Sequence, residues 1–254
     1  MIPDYSILLP FVCVVAVGVY FNTVTGFGLA MIIMALANGM GLASVADLAS
    51  IISMVTLVNS AVALKGNMHH LDWRIARRVI LGVLPASILG VLVLDYLSEA
   101  AADIVQVLLG AVVIYGGMNF AWQPEPLKQV SKPASFISFG FLGGFIGGMF
   151  GIPGPPLIFQ FYRQPWSLPQ IRSYLILIFA VIAGTRNVFV GWQGELSPEV
   201  LLMSALCFPV AAVATMVGRR YPPPLSQETM RRIAFVMLVL MGIGLVIPVV
   251  LKHI

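Results

Sequence analysis

Charge is scarce in this chain. Lys, Arg, Asp and Glu together make up 9% of it, against about a quarter in an ordinary soluble domain. That shortage excludes a water-exposed globule, because too few polar groups exist to cover its surface. Histidine and cysteine are scarcer still, at three and two residues. Cys13 and Cys207 both lie in apolar runs, so no disulfide framework and no Cys/His metal spacing is expected. His69, His70 and His253 all fall at the edges of apolar runs, and no run holds a carboxylate at its centre. An intramembrane enzyme, such as a lipid phosphatase or protease, needs a base or nucleophile held at depth. That class is therefore disfavoured, and no cofactor is expected. The net charge of +4 reflects basic loops and carries no signal for nucleic acid. The opening Met1-Ile2-Pro3-Asp4 has no basic stretch ahead of its apolar run, so no cleaved signal peptide is expected.

What is plentiful is apolar surface. Hydrophobic residues make up 59% of the 254, and the mean hydropathy is +0.99. Six runs are long enough to span a bilayer at about 20 residues each, near 45–64, 74–96, 101–122, 170–192, 198–217 and 229–250. Trp73, Trp122, Trp166 and Trp192 fall at run ends, where amphipathic rings settle at the membrane interface. Two further segments are interrupted. Residues 7–37 are broken around Asn22-Thr23-Val24-Thr25-Gly26-Phe27-Gly28, and residues 134–162 around Gly151-Ile152-Pro153-Gly154-Pro155-Pro156. Each leaves arms of roughly 8–17 residues, the size of half-penetrating helices.

Charge placement discriminates between readings of those segments. If each is a re-entrant hairpin, 12 of the 14 Lys and Arg share one face: Lys65, Arg74, Arg77, Arg78, Lys128, Lys132, Arg163, Arg172, Arg219, Arg220, Arg231 and Arg232. Arg186 and Lys252 remain on the other half. If each segment instead crosses once, the split falls to 8 against 6. The positive-inside rule selects the hairpins and puts both termini outside.

The same layout exposes a repeat. Each half reads as a broken segment followed by three spans. Loop 65–78 is basic where its counterpart near 194–199 carries Glu195 and Glu199. Loop 95–103 is acidic where its counterpart 219–232 is basic. Three crossings per half with inverted charge is the pattern of an inverted-topology repeat, which many secondary transporters share. The expected fold is therefore an all-α polytopic membrane protein of two inverted repeats, 1–125 and 126–254. Each repeat is a re-entrant broken hairpin plus three transmembrane helices.

At the two breaks the sequence resembles the TauE/SafE family of sulfite exporters and related anion permeases. The residues that carry the likeness are Thr25-Gly26-Phe27-Gly28 in the first half and the run from Gly143 to Pro156 in the second. The length, the repeat layout and Arg172 at the start of the following span agree with it. The first motif lacks the triple glycine common in the family, and Pro153 stands where the second usually has Gly. The resemblance implies a permease of the bacterial inner membrane that moves a small sulfur-containing anion, such as sulfite or an organosulfonate.

The breaks also suggest a mechanism on their own. A half-helix that starts near the midplane leaves backbone N–H groups open and carries partial positive charge. Gly26, Phe27, Gly28 and Leu29, with Gly151, Ile152, Pro153 and Gly154, are the expected mid-membrane cradle, and Pro155 suits a first helical turn. Asn22, Thr23 and Thr25 add side-chain donors. Asn59 and Asn187 occupy matching repeat positions and either line the path or bond between helices. Arg186, a cation within a predicted span, either meets the anion or snorkels toward Trp192 and Glu195. Arg172 anchors the inner face or attracts anions there. Gly143 to Gly148 read as packing residues. Asp47 is the candidate for coupling to protons. Coupling to another ion and a homodimer both stay open, as does a non-transporting scaffold.

Overall fold

The computed structural model describes residues 5–38, 40, 42, 45–96, 126–150, 154–194 and 196–252, and in the third predicted span residues 104, 107, 110, 111, 114, 115 and 118. The described residues are helical, with connecting turns and no strand. The helices are α1 (Tyr5–Thr25), α2 (Leu29–Ile33), α3 (Val45–Leu64), α4 (Trp73–Tyr96), α5 (Pro133–Phe150), α6 (Gly154–Tyr162), α7 (Leu168–Trp192), α8 (Pro198–Arg220) and α9 (Gln227–Lys252). A π-turn over Met34–Asn38 prolongs α2, and a short 3-10 turn covers Met68–His70. The predicted spans agree with these bounds to within about three residues at each end, because uninterrupted apolar length specifies a membrane helix well. The described residues of the 101–122 run are helical. Trp122, Glu99, Asp103, Glu195, Gly151, Ile152 and Pro153 lie outside the described residues.

Among the described residues, four segments are long and apolar enough to cross a membrane: Leu8–Thr25, Asp47–Leu64, Leu168–Trp192 and Pro198–Arg220. The first of these corrects an expectation. The leading arm of the first broken segment is 21 residues, not 8–17. At 1.5 Å per residue it reaches about 32 Å. It runs on because the polar residues before the break keep to helical bonding. Thr23 and Thr25 each donate a hydroxyl hydrogen bond one turn back, to Val19 O and Phe21 O, both at 2.8 Å.

Both broken segments fold back on themselves. In the first, α2 returns along α1, and a Cβ built on Gly18 would lie 3.4 Å from Ile33 Cγ1. In the second, the start of α5 meets the end of α6. Phe139 stacks on Phe159 at 5.7 Å, and Phe136 lies 6.2 Å from Phe161.

The chain forms two compact units, and each draws on both halves of the sequence. The first comprises residues 1–71 and 172–223. In it α1 and α3 pack against α8 from the other half. Its core holds Phe11, Val15, Val19, Ile33, Leu48 and Ile51, with Cys207 and Ala211 from α8. Helix α8 starts cleanly because Ser197 caps it, its hydroxyl accepting from Val200 N at 3.2 Å with Pro198 following. The second unit comprises residues 72–171 and 224–254. Its main contact is α4 against α5, a seam where glycines bring the two backbones together. A Cβ on Gly82 would overlap Ile137 O, one on Gly140 would fall 2.6 Å from Val79 O, and one on Gly144 2.5 Å from Val83 O. Small residues let the two backbones touch, which is how helices gain packing where lipid supplies no hydrophobic drive. Helix α9 closes on α6, and its Gly242 rests against Gly110 and Ile114.

Candidate functional site

The first break lies inside the first unit. Gly26 and Gly28 adopt φ of +90° and +98°, a left-handed backbone closed to most side chains. The turn between them is tied by Thr25. Its Oγ1 lies 2.8 Å from both Phe21 O and Phe27 O and accepts from Phe27 N at 3.2 Å. Gly26 N donates to Asn22 O at 2.6 Å. Helix α2 then starts, and Ile32 N is its first N–H to close on its own helix, at Gly28 O, 2.9 Å. The N–H groups of Leu29, Ala30 and Met31 precede that closure and have no helical partner.

Around this turn sits a buried polar network. Asn59 is fully buried. It accepts at Oδ1 from Asn22 Nδ2 at 2.7 Å and donates from Nδ2 to Thr23 Oγ1 and Thr215 Oγ1, both at 2.8 Å. One amide thus joins α1, α3 and α8. Both of its N–H groups are used, and its oxygen is engaged. The amide of Asn22 donates one N–H and has a second. Thr215 passes its own hydroxyl to Ala211 O at 2.6 Å.

Several residues singled out from the sequence therefore meet. Asn22, Thr23 and Asn59 share one network. Gly26 lies against the start of α7, its built Cβ 3.0 Å from Arg172 Cα and 3.3 Å from Leu175 Cβ. Phe27 and Leu29 are buried at the turn. Asn187 stands apart from the network on α7, where its Oδ1 accepts from Ser53 Oγ at 2.6 Å. Arg186 is half-buried one residue before it, and Arg172 is half-buried too. Thr215 was missed because a lone threonine in an apolar run carries no sequence signal.

The second break is described only from Gly154 onward, and Gly154 is buried as the first residue of α6. Pro155 and Pro156 follow it, and neither has an N–H. The first turn of α6 is thus poor in backbone donors where that of α2 is rich.

At the far end of α6 lies a second polar cluster, within the second unit. Gln164 donates to Ser131 Oγ at 2.9 Å and Gln160 O at 2.7 Å. It accepts from Ser131 N at 2.9 Å. Arg163 donates to Ser135 Oγ at 3.1 Å, and its guanidinium lies over Phe139 and Phe159 at 5.0 and 5.1 Å. Burial against those rings holds its pKa below the usual arginine value. Arg231 of α9, 2% exposed, donates from Nη2 to Gln164 O at 2.9 Å and Trp166 O at 3.0 Å. Read from the sequence as one more inner-face cation, it is in fact the most deeply buried charge described.

A cavity of about 520 Å³ opens in the first unit beside Leu57, Leu64 and Ala180. Apart from Ser60 and Lys65 its lining is apolar, which suits a hydrocarbon chain better than a hydrated anion. Among the described residues no group of His, Cys, Asp and Glu is arranged to hold a metal.

Comparison with known proteins identifies the family. A family model described as sulfite exporter TauE/SafE matches residues 10–245. A protein of Cupriavidus necator named probable sulfite/organosulfonate exporter TauE is 49% identical over 248 residues, covering 96% of this chain and 97% of that protein. No solved structure matches the chain. Apolar helices long enough to span, a buried break and a family match over nearly the whole length have one reading: the chain is a membrane transporter of the sulfite exporter TauE/SafE family.

Proposed function

We propose that this transporter moves a small sulfur oxyanion, sulfite or an organosulfonate, across a bacterial inner membrane, and that the anion is held at the first break. The observation that carries the substrate is the 49% identity, end to end, to a protein named as a probable sulfite/organosulfonate exporter. The observation that supports the position is the set of open donors there. Leu29, Ala30 and Met31 offer backbone N–H groups, and the amide of Asn22, one turn before Gly26, has a second N–H beyond the one given to Asn59. Each such bond to an anion contributes roughly 1.5–3 kcal/mol, so three or four offset much of the dehydration cost. Gly26 and Gly28 shape the turn, Phe27 and Thr25 lock it, and Asn59 with Thr23 positions Asn22. Arg172, Arg186 and Asn187 act on the route through charge and amide.

The architecture proposed with it is a pair of inverted repeats, 1–125 and 126–254, each opening with a re-entrant hairpin. Two observations support this. Both broken segments double back. The long arm of each also packs on the second span of the other half, α1 on α8 and α5 on α4. That reciprocity is expected of a repeat related by a two-fold axis.

The test is flux in proteoliposomes over sulfite, methanesulfonate, 2-aminoethanesulfonate, sulfate and acetate. Saturable flux is expected for sulfite and at least one sulfonate. Flux of acetate alone would end the substrate reading. Asn22→Asp should abolish sulfite flux by placing an acceptor-only carboxylate where a donor is needed. Full flux in that variant would end the site reading.

A further inference from the structure

We propose that Arg231, with Gln160, forms a second recognition point for a small oxyanion, in the second unit and separate from the first break. Arg231 is 2% exposed and Gln160 fully buried. Arg231 uses Nη2 on the carbonyls of Gln164 and Trp166. Its Nη1 has no hydrogen-bond partner among the described residues, and neither has Nε2 of Gln160. The two residues belong to one wired cluster. Gln164 bonds the carbonyl of Gln160 through its side chain and receives Arg231 at its own carbonyl.

The chemistry of the unmet groups specifies the ligand. Both are N–H donors, so an acceptor is required. One carries a full positive charge that an arginine cannot shed by deprotonation. Two carbonyl dipoles satisfy hydrogen bonds without neutralising it, and a buried uncompensated charge is strongly destabilising. Among the described residues the ion pair of this helix is made by its neighbour, Arg232 with Glu228, at 3.2 Å and largely exposed. No carboxylate meets Arg231 there. The surroundings, Tyr162, Trp166, Phe161 and Phe235, are buried aromatics that exclude a large hydrated ligand. The ligand these donors call for is a compact oxyanion with several acceptor atoms: sulfite, a sulfonate head or a phosphate. The inference deepens the transport reading and rests on it for the anion's identity, since a charged point on α9 beside the end of α6 is a second stopping place for the same cargo.

Trp166 reports on the site, because its carbonyl holds Arg231 and its buried ring stacks on Phe136 at 5.7 Å. The full chain carrying Trp73→Phe, Trp122→Phe and Trp192→Phe, delipidated in detergent, is titrated with sulfite, methanesulfonate and inorganic phosphate. A saturable change in Trp166 emission is expected with sulfite and methanesulfonate. Arg231→Gln should raise the Kd at least about tenfold, as loss of a buried charged donor does, and Arg232→Gln should leave it unchanged. If Arg231→Gln does not fold, Arg231→Lys, which keeps the charge but loses the planar fork, should give the same direction. The first-break variant Asn22→Asp should lose flux yet keep the Trp166 response, which separates the two sites. Sulfite flux with no Trp166 response overturns this inference and leaves the transport reading standing. Absence of both overturns both. A response seen only in phosphatidylglycerol nanodiscs also overturns it, because a lipid headgroup would then be the occupant.

Discussion

Gly28 and Gly194 share a left-handed backbone but not a neighbourhood. At Gly28 a Cβ would meet the Phe21 ring at 2.8 Å, while at Gly194 nothing lies within 4 Å. Left-handed strain alone costs a β-carbon about 1–2 kcal/mol, and overpacking adds roughly 1–3 kcal/mol. Gly28→Ala should therefore lower the unfolding temperature more than Gly194→Ala, and Phe21→Leu should recover the excess. Equal losses would mean that Phe21 yields freely. The same geometry means that bulky substitutions at Gly28 probe the backbone before they probe any anion, which makes Asn22 the cleaner site to alter.

Asn59 illustrates what a single sequence conceals. A bond between helices was one of its two expected roles, but its commitment to Asn22, Thr23 and Thr215 was not legible. The partner in α8 is 156 positions away, and nothing in one sequence links them. Arg231 was hidden for a different reason. It sits beside Arg232 in a basic stretch, and only the 100° step of a helix sends one inward and the other outward. Interhelical side-chain bonds in membranes average about 0.6 kcal/mol each. Asn59→Leu, which removes three, should thus destabilise by about 2 kcal/mol in reversible detergent unfolding. A change near zero would mean that the network forms no stable tie.

At the scale of elements, the α4–α5 seam and the exposed face of α9 predict opposite signs for one substitution. Gly140→Ala and Gly82→Ala push a methyl group into backbone oxygen within 2.6 Å, so the helices must separate. Gly244→Ala meets nothing within 4 Å and gains up to about 1 kcal/mol of helix propensity. Thermal unfolding should fall for the first two and hold or rise for the third. A fall at Gly244 would show that its face is covered. Span positions were readable because apolar length is a property of consecutive residues. The length of α1 was misread because Asn22, Thr23 and Thr25 look like a break. In the structure the two threonine hydroxyls bond back to their own helix.

For the whole molecule, charge placement predicts sidedness. With Cys13 and Cys207 replaced by Ala, a single cysteine at Lys128 should label from the cytoplasm and one at Gly194 from outside. Cysteines at Pro3 and His253 should label with Gly194. Labelling of Pro3 together with Lys128 would mean that α1 crosses without an effective return, and the hairpin reading of the first segment would fall.

The interleaving of the two units also dictates an order of manufacture. The chain enters the second unit at residue 72 and does not return to the first until residue 172. At about 5–20 residues per second the ribosome needs roughly 5–20 s to cover those hundred positions. Meanwhile the nascent first unit waits in the bilayer, and the amide of Asn59 lacks its Thr215 partner until α8 is inserted. Stalled chains ending near residue 192 should therefore be cleared by membrane proteases faster than chains ending past residue 223. Fragments 1–125 and 126–254, each missing part of both units, should accumulate only when made in the same cell.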